Sequence, residues 1–296
     1  MADKDLIFSF FCDWKKCPDV MLRSCFAEFR DNGVENLVFV DPWSERIIQD
    51  PTFAKMLKIA SKGLVNLREM HAPYGECYDL AAMSPARREG LVQDHAKALA
   101  YAAEFGSRTY TIHVGAFDSV FYHVPNDVLR PLVLESLEKL IPYAEKYDVK
   151  IAVENSFERS NAPEEVMYYV NYFNHPNVGC CFDNGHANML KTGDGKKVFD
   201  SYFTNEVWQN DIGFCDNAFE QMASRMVTCH LHDNNGLIDQ HLPPGMGNVN
   251  WPELANQLLT QAPQLCSIQT EAMVFGCEIS ITDIVKRYRK IFPGLV

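Results

Sequence analysis

The chain has 296 residues, 27 Lys+Arg against 39 Asp+Glu, a formal charge of −12, and 47% hydrophobic and 22% charged residues. That profile excludes disorder and fibres, and the acidity weighs against a nucleic-acid partner, whose phosphates need clustered Lys and Arg; Lys196-Lys197 and Arg87-Arg88 are only isolated pairs. Length admits either two ordinary domains or one barrel of about 250 residues with insertions.

The start, Met-Ala-Asp-Lys-Asp, is charged and does not read as a signal peptide. No apolar run approaches the roughly 18 residues of a membrane span, so the expected location is cytoplasmic with no membrane partner. Ten cysteines are scattered with no C-x-x-C pair, and reduced thiols are expected.

Short apolar runs then alternate with longer amphipathic ones. Leu6–Phe11 reads as the first strand and is followed by Trp14; Asn36–Val40 is the second, leading into Asp41-Pro42-Trp43-Ser44-Glu45 as a loop. Val65–His71 is the third and ends in His71-Ala72-Pro73-Tyr74-Gly75. Leu91, His95, Leu99, Ala102 and Ala103 give Pro85–Phe105 a helical period. The fourth strand, Tyr110–His113, ends in His113-Val114-Gly115, and Leu132, Leu137, Leu140 and Ile141 predict a helix over Val128–Tyr147.

Lys150–Glu154 is the fifth strand and runs into Asn155; Val178–Asp183 is the sixth, with Cys180 and Cys181 facing opposite sides, and runs into Asn184-Gly185-His186. Met226–His232 is the seventh and carries His230, His232 and then Asp233, followed by Asp239-Gln240-His241. Cys266–Glu271 is the eighth, and Val285–Phe292 is a final helix.

Strands this apolar are covered on both faces, hence parallel, and eight of them favour a (β/α)8 TIM barrel over an open doubly wound sheet. No G-x-G-x-x-G or phosphate-binding loop motif follows a strand, and no linker divides the chain, so residues 1–296 are expected to form a single TIM-barrel domain.

In such a barrel the strand C-termini converge on the active site. One His or Glu at a strand end is more often a hydrogen-bonding residue than a ligand. Six consecutive strands ending in His, Asp or Glu would crowd acids and imidazoles into one space, where carboxylates repel each other and lose solvation unless a cation neutralises them. His and carboxylate donors suit Zn2+, Mn2+, Co2+ or Mg2+. Asp183 and His186, and Asp239 and His241, are spaced to reach one ion. His230 and His232 share a face, with Leu231 toward the helices, and alternation does not decide which of the two histidines binds metal.

The segments HAPYG (from His71), IHVGA (from Ile112), VEN (from Val153), FDNGHAN (from Phe182), HLHDNNGLIDQHLPPGMGNVNW (from His230) and TEA (from Thr270) resemble those of the xylose-isomerase-like TIM-barrel superfamily, over nearly the whole chain. The resemblance implies that Glu154, Asp183, His230 and Glu271 hold one divalent metal, with Glu154 and Glu271 as the catalytic acid–base pair of a sugar or sugar-phosphate isomerase or epimerase working through an enediolate. It also resembles endonuclease IV, whose further ligands fall on His71, His113, His186, Asp239 and His241, residues that would bind a second metal or substrate; one ion is expected and up to three fit. That keeps open a two- or three-zinc phosphoester hydrolase, beside a metal-dependent dehydratase on the same scaffold.

The chain departs from both patterns. Asn234, Asn235 and Gly236 stand where ketose 3-epimerases carry a substrate-binding Arg, and Ser160 where they carry a second substrate Glu. The segment from Asp41 to Glu45 lacks the basic, aromatic DNA-intercalating character of endonuclease IV. Trp14, Trp43, Tyr74, Phe117, Phe157 and Trp251 are candidates for an apolar wall against a sugar ring, with ordinary packing the alternative for each. Asn155, His232 and Asp233 are candidates for hydrogen bonds to substrate or in support of ligands. Trp14, Tyr74, Asn155 and His232 form the expected substrate set. His95 and His175 are read as structural. The expected partner is a small sugar-like molecule, with a homo-oligomer left open.

Overall fold

The computed structural model describes residues 6–12, 18–193, 195, 197–274 and 276–296; Trp14 lies outside them. Eight strands, β1 (Ile7–Ser9), β2 (Asn36–Phe39), β3 (Asn66–His71), β4 (Thr109–Ile112), β5 (Lys150–Glu154), β6 (Val178–Asp183), β7 (Met226–Leu231) and β8 (Ser267–Thr270), pair in parallel in the order β1-β8-β7-β6-β5-β4-β3-β2. The ring closes between β1 and β2 just past the first strand, where Phe10 N donates to the Asn36 carbonyl (3.0 Å) and Val38 N to the Phe10 carbonyl (2.9 Å). This is the expected (β/α)8 barrel.

The helices are α1 (Leu22–Asp31), α2 (Asp41–Gln49), α3 (Pro51–Ser61), α4 (Pro85–Glu104), α5 (Ala116–Tyr122), α6 (Asn126–Tyr147), α7 (Pro163–Phe173), α8 (Asn184–Met189), α9 (Ala218–Met222), α10 (Trp251–Gln261) and α11 (Ile281–Ile291). Within α6 the buried stripe is Leu129, Val133, Leu137, Leu140 and Ala144, so Leu132 and Ile141, expected inside, are only partly covered. Among the described residues no helix is long and apolar enough to cross a membrane.

Period-two alternation divides the strands between the two sides of the barrel wall. Ile151, Val153, Cys180, Phe182, Cys229 and Leu231 join the large core packed under the helices. Ala152 and Cys181 face inward in a small separate cluster, so Cys180 and Cys181 do face opposite sides. Deeper in the barrel, Gln269 Nε2 donates to Thr228 Oγ1 (2.8 Å), which lies 2.6 Å from Ser267 Oγ. At a β-bulge, where pairing skips from Val38–Arg68 to Phe39–Met70, Glu69 takes φ 55° and its buried carboxylate accepts from Thr109 N at 3.1 Å. Two residues beyond Glu69, Ala152, Cys181, Thr228 and Gln269 along their strands come His71, Glu154, Asp183, His230 and Glu271. The inward face therefore delivers its ionisable residues together at the C-terminal mouth.

Candidate metal centre

Glu154 and Asp183 terminate β5 and β6, His230 lies one residue before the end of β7, and Glu271 directly follows β8. All four are buried, at 1%, 0%, 0% and 8% exposure, and each offers a ligand atom within 4.8 Å of the others. His230 Nδ1 lies 2.8 Å from Glu154 Oε1 and 2.9 Å from Glu271 Oε1. His71 Nε2 and His113 Nε2 approach the other Glu154 oxygen, at 3.4 and 3.0 Å.

A second group adjoins the first. His186, His232, Asp239 and His241 also offer atoms within 4.8 Å of one another. Asp239 Oδ2 is 3.0 Å from His241 Nε2 and 3.4 Å from His186 Nε2. His232 stacks on His241 with ring centroids 4.0 Å apart and reaches Asp183 Oδ1 at 3.2 Å. Both His230 and His232 therefore turn into the site, and His232, expected at the substrate or in support of ligands, stands among the groups that could hold an ion.

Three of the imidazoles share one arrangement. The Nδ1–H of His71 donates to the Ala72 carbonyl (2.7 Å), that of His186 to the Asn155 carbonyl (3.1 Å), and that of His241 to the Glu271 carbonyl (2.9 Å). A carbonyl only accepts, so the proton sits on Nδ1 and Nε2 is aimed at the carboxylates. Metal-binding histidines are commonly oriented in this way. Asp183 is both N-cap and candidate ligand: its Oδ1 accepts from His186 N at 2.7 Å, starting α8.

The donor set fits a divalent cation. Glu154 Oε2, Asp183 Oδ2 and Asp239 Oδ1 are buried acceptors without a hydrogen-bond partner, which is costly unless a cation engages them. The imidazoles supply the balancing charge in the protein alone. Burial pushes the Glu154 carboxyl up, but His230 and His113 outweigh it and hold it well below the usual range. Burial likewise opposes, and His230 overcomes it, in bringing Glu271 to about 2. Asp239 is held well below its ordinary value by His241 and His186 against the push of burial. Reciprocally, burial lowers His71 and His241, but Glu154 and Asp239 respectively raise each to about 9.

The cavity above these residues has a volume of about 280 Å3. Its wall includes Tyr74 and Phe157, as expected, and also Phe11, Asp41, Ser156, Glu158 and Met273, which sequence reasoning did not select. Tyr74 sits edge-on to His113 (5.1 Å), Phe157 edge-on to His186 (5.4 Å), and Phe117 supports Tyr74 from behind at 5.4 Å.

The remaining aromatic and polar candidates do other work. Trp43 packs in the core against Phe26 and Phe39, because the segment expected as a loop after β2 is α2, with Pro42 in its first turn. Trp251 Nε1 donates to Asp233 Oδ2 at 2.9 Å. Asp233 also accepts from Asn234 N, Gly245 N and Val249 N, tying down the loop that carries Asp239 and His241. Asn155 exchanges two hydrogen bonds with the Asp183 backbone (2.9 and 3.0 Å), which holds the strand end that carries a candidate ligand. His95 is structural: its Nε2–H donates to the Tyr78 carbonyl, Tyr110 donates to Nδ1, and burial lowers its pKa to about 4. His123 and His175 pair with Glu206 and Glu145 away from the cavity.

The sequence pattern of the family described as xylose isomerase-like TIM barrel matches residues 26–279. An uncharacterised protein of Methanocaldococcus jannaschii is 26% identical over 193 residues; the match covers 64% of this chain but only 59% of that protein. Among solved structures, a D-tagatose 3-epimerase-like protein superposes with TM-score 0.62 at 23% identity, covering 87% of this chain and 89% of its own. An AP endonuclease, family 2, of Brucella melitensis gives TM-score 0.65 at 16% identity over 96% and 98%. At these identities the structural likeness is one of fold.

Proposed function

The chain belongs to the xylose isomerase-like TIM-barrel family, and on that premise we propose that it is a divalent-metal-dependent isomerase or epimerase of a small sugar, with Glu154 and Glu271 as the acid–base pair. The observation carrying this reading is the four-residue group Glu154, Asp183, His230 and Glu271, buried, converging within 4.8 Å and left with unpartnered carboxylate oxygens. A bound divalent ion would supply the Lewis acid that acidifies the C–H beside a carbonyl.

The chain's own residues provide the proton transfer. Glu154 Oε1 and Glu271 Oε1 lie 2.8 and 2.9 Å from His230 Nδ1, and their low pKa values leave both ionised at neutral pH. One takes the proton from the carbon next to the carbonyl and the other returns it, to the opposite face for epimerisation or to the neighbouring carbon for isomerisation. Tyr74 and Phe157 offer ring faces to the sugar's C–H surface. His113 and His186 lie within reach of substrate hydroxyls.

The test is exchange of substrate C–H protons with deuterated solvent, followed by NMR over a panel of ketoses with the manganese-loaded protein. Glu271→Gln should lose exchange by at least about a thousandfold, in the range lost with an essential acid–base group, while keeping its folded circular dichroism. Exchange at the wild-type rate in that variant would remove Glu271 from the pair.

A second reading, a two- or three-zinc phosphoester hydrolase, is favoured by the adjoining group His186, His232, Asp239 and His241. Elemental analysis separates the two. One tightly held ion per chain, with no cleavage of abasic DNA, is the expected result; three zincs per chain with cleavage would replace the isomerase reading.

A further inference from the structure

Beside the metal cavity lies a second cleft, between the segment that joins β3 to α4 and the helix α5. Its volume is about 190 Å3, room for about six water molecules at about 30 Å3 each, which suits one sugar ring. Glu76, Met83 and Arg87 wall it on one side and Phe117, Asp118 and Tyr122 on the other. A gap of about 10 Å3 lies between the two spaces. Tyr74 and His113 line both this gap and the metal cavity, and Asp79 and Phe117 line both the gap and the cleft.

A row of rings runs the same way. Tyr74 stands edge-on to His113, Phe117 packs on Tyr74, and Phe121 stacks on Phe117 with centroids 5.5 Å apart. Phe121 and Tyr122 are 59% and 62% exposed. Large rings left this open beside a cleft mark a surface that meets a ligand or another molecule.

The cleft has a fixed frame. Asp79 Oδ1 accepts from Ala81 N (2.9 Å) and Gly115 N (2.8 Å), and its Oδ2 from Phe117 N (3.1 Å), which holds the start of α5 against the segment after β3. Arg87 Nη2 donates to the Glu76 carbonyl, and its Nη1 stands 3.9 Å from Glu76 Oε1. Asp118 is the acid left over. It is half-buried, and no hydrogen bond from the described residues reaches its carboxylate. Burial, and then Asp79, push its pKa up against the pull of Arg87.

This lining selects its occupant. An apolar partner would strand the carboxylates of Glu76 and Asp118, and an anion would meet three acids against one arginine. A sugar ring answers both parts: its C–H face covers the aromatic rings, and its hydroxyls donate to carboxylate and accept from guanidinium.

We propose that the cleft is a subsite for a second sugar ring, and that the substrate is a reducing disaccharide. Its ketose end enters the metal cavity, while the other ring rests against Phe117 and Tyr122 and hydrogen-bonds to Asp118 and Arg87. This assignment rests on the isomerase reading above and extends its substrate class from a single sugar to a glycosylated one.

The experiment follows deuterium exchange beside the carbonyl with the manganese-loaded protein, on D-fructose and on three disaccharides that end in it: lactulose, maltulose and isomaltulose. At least one disaccharide should exceed D-fructose by tenfold or more in kcat/KM. Asp118→Ala and Tyr122→Ala should each cut that advantage at least fivefold through KM, with D-fructose kinetics, metal content and melting temperature unchanged. Asp118→Asn, which keeps an acceptor but not the charge, should fall between wild type and Asp118→Ala. D-fructose used as well as all three disaccharides, or variants that lower both kinds of substrate equally, overturns the subsite while the isomerase reading stands. So does a Tyr122→Ala protein that passes from dimer to monomer in analytical ultracentrifugation with its disaccharide kinetics intact, which would assign the rings to a second copy of the chain. A metal-loaded wild type that exchanges no proton on any of the four sugars overturns both.

Discussion

At the scale of single residues, the site is assembled as much by what is small as by what is charged. A Cβ placed on Gly185 would lie 2.0 Å from His232 Cε1, so the glycine between Asp183 and His186 is what admits the second imidazole of β7. Two effects oppose each other in Gly185→Ala. Replacing a helical glycine ordinarily stabilises by up to about 1 kcal/mol, whereas overpacking a rigid buried ring costs about 1–3 kcal/mol. The contact is with the body of a ring that also stacks on His241 and lies on Asp183, so the clash should win. Gly185→Ala should therefore melt at a lower temperature and lose the metal-dependent shift of the His232 ring protons in NMR. A rise in melting temperature with that shift intact would mean that the His232 ring yields to the added methyl group and keeps its place beside the metal. The same ring shows where sequence reasoning stopped: alternation put His230 and His232 on one face, but only their distances to Asp183 and Glu154 tell that both enter the acidic group.

At the scale of elements, the barrel was legible because parallel strands buried on both faces read as unbroken apolar runs that stop at the first ionisable residue. Lys150–Glu154 and Val178–Asp183 have the expected ends for that reason. Helix beginnings were harder, and the missed signals were capping signals. Residues from Asp41 on read as a loop, yet Pro42 in a first turn is a helix-start signal, and α2 follows β2 with only Val40 between them. The last helix begins four residues earlier than its apolar period suggested, where Ser280 Oγ accepts from Asp283 N at 3.0 Å. The site divides along the same line. Glu154, Asp183, His230 and Glu271 sit on or beside strands, where period two fixes their direction. Asp41 and Glu158 enter the cavity wall from a helix start and a turn, outside the strand alternation, and the turn that carries Glu158 is held by bonds from Val114 N and Asn126 Nδ2 in separate segments that no local pattern encodes. The partners of Asp233 are hidden for a related reason, since all four of its side-chain bonds run to the loop and helix that follow it.

At the scale of the whole molecule, the charge of −12 is unevenly used, because four of the acids, Glu154, Asp183, Asp239 and Glu271, share one mouth of the barrel with six histidines. In the protein alone that mouth is balanced by protons. His71 and His241 are raised from 6.5 to about 9, so their contribution to stability is fully present below about pH 6.5 and lost as pH rises through 9. Glu271 is lowered from 4.5 to about 2, so its contribution is present above about pH 4.5 and lost as pH falls toward 2. The metal-free protein should therefore be most stable between about pH 4.5 and 6.5. A coordinating imidazole must be neutral, which makes protons and metal competitors for the same nitrogens. Metal binding should release protons at pH 7, and affinity should climb from pH 6.5 toward 9 by about tenfold per unit for each proton displaced. Calorimetric titration of Mn2+ in buffers of different ionisation enthalpy measures the protons directly. Melting curves with Mn2+ and with EDTA give the second readout, in which the stabilisation by metal should widen as pH rises from 6 to 8.5. A proton count of zero, or a metal-induced stabilisation that narrows over that range, would show that the imidazoles at the mouth keep their protons in the loaded protein.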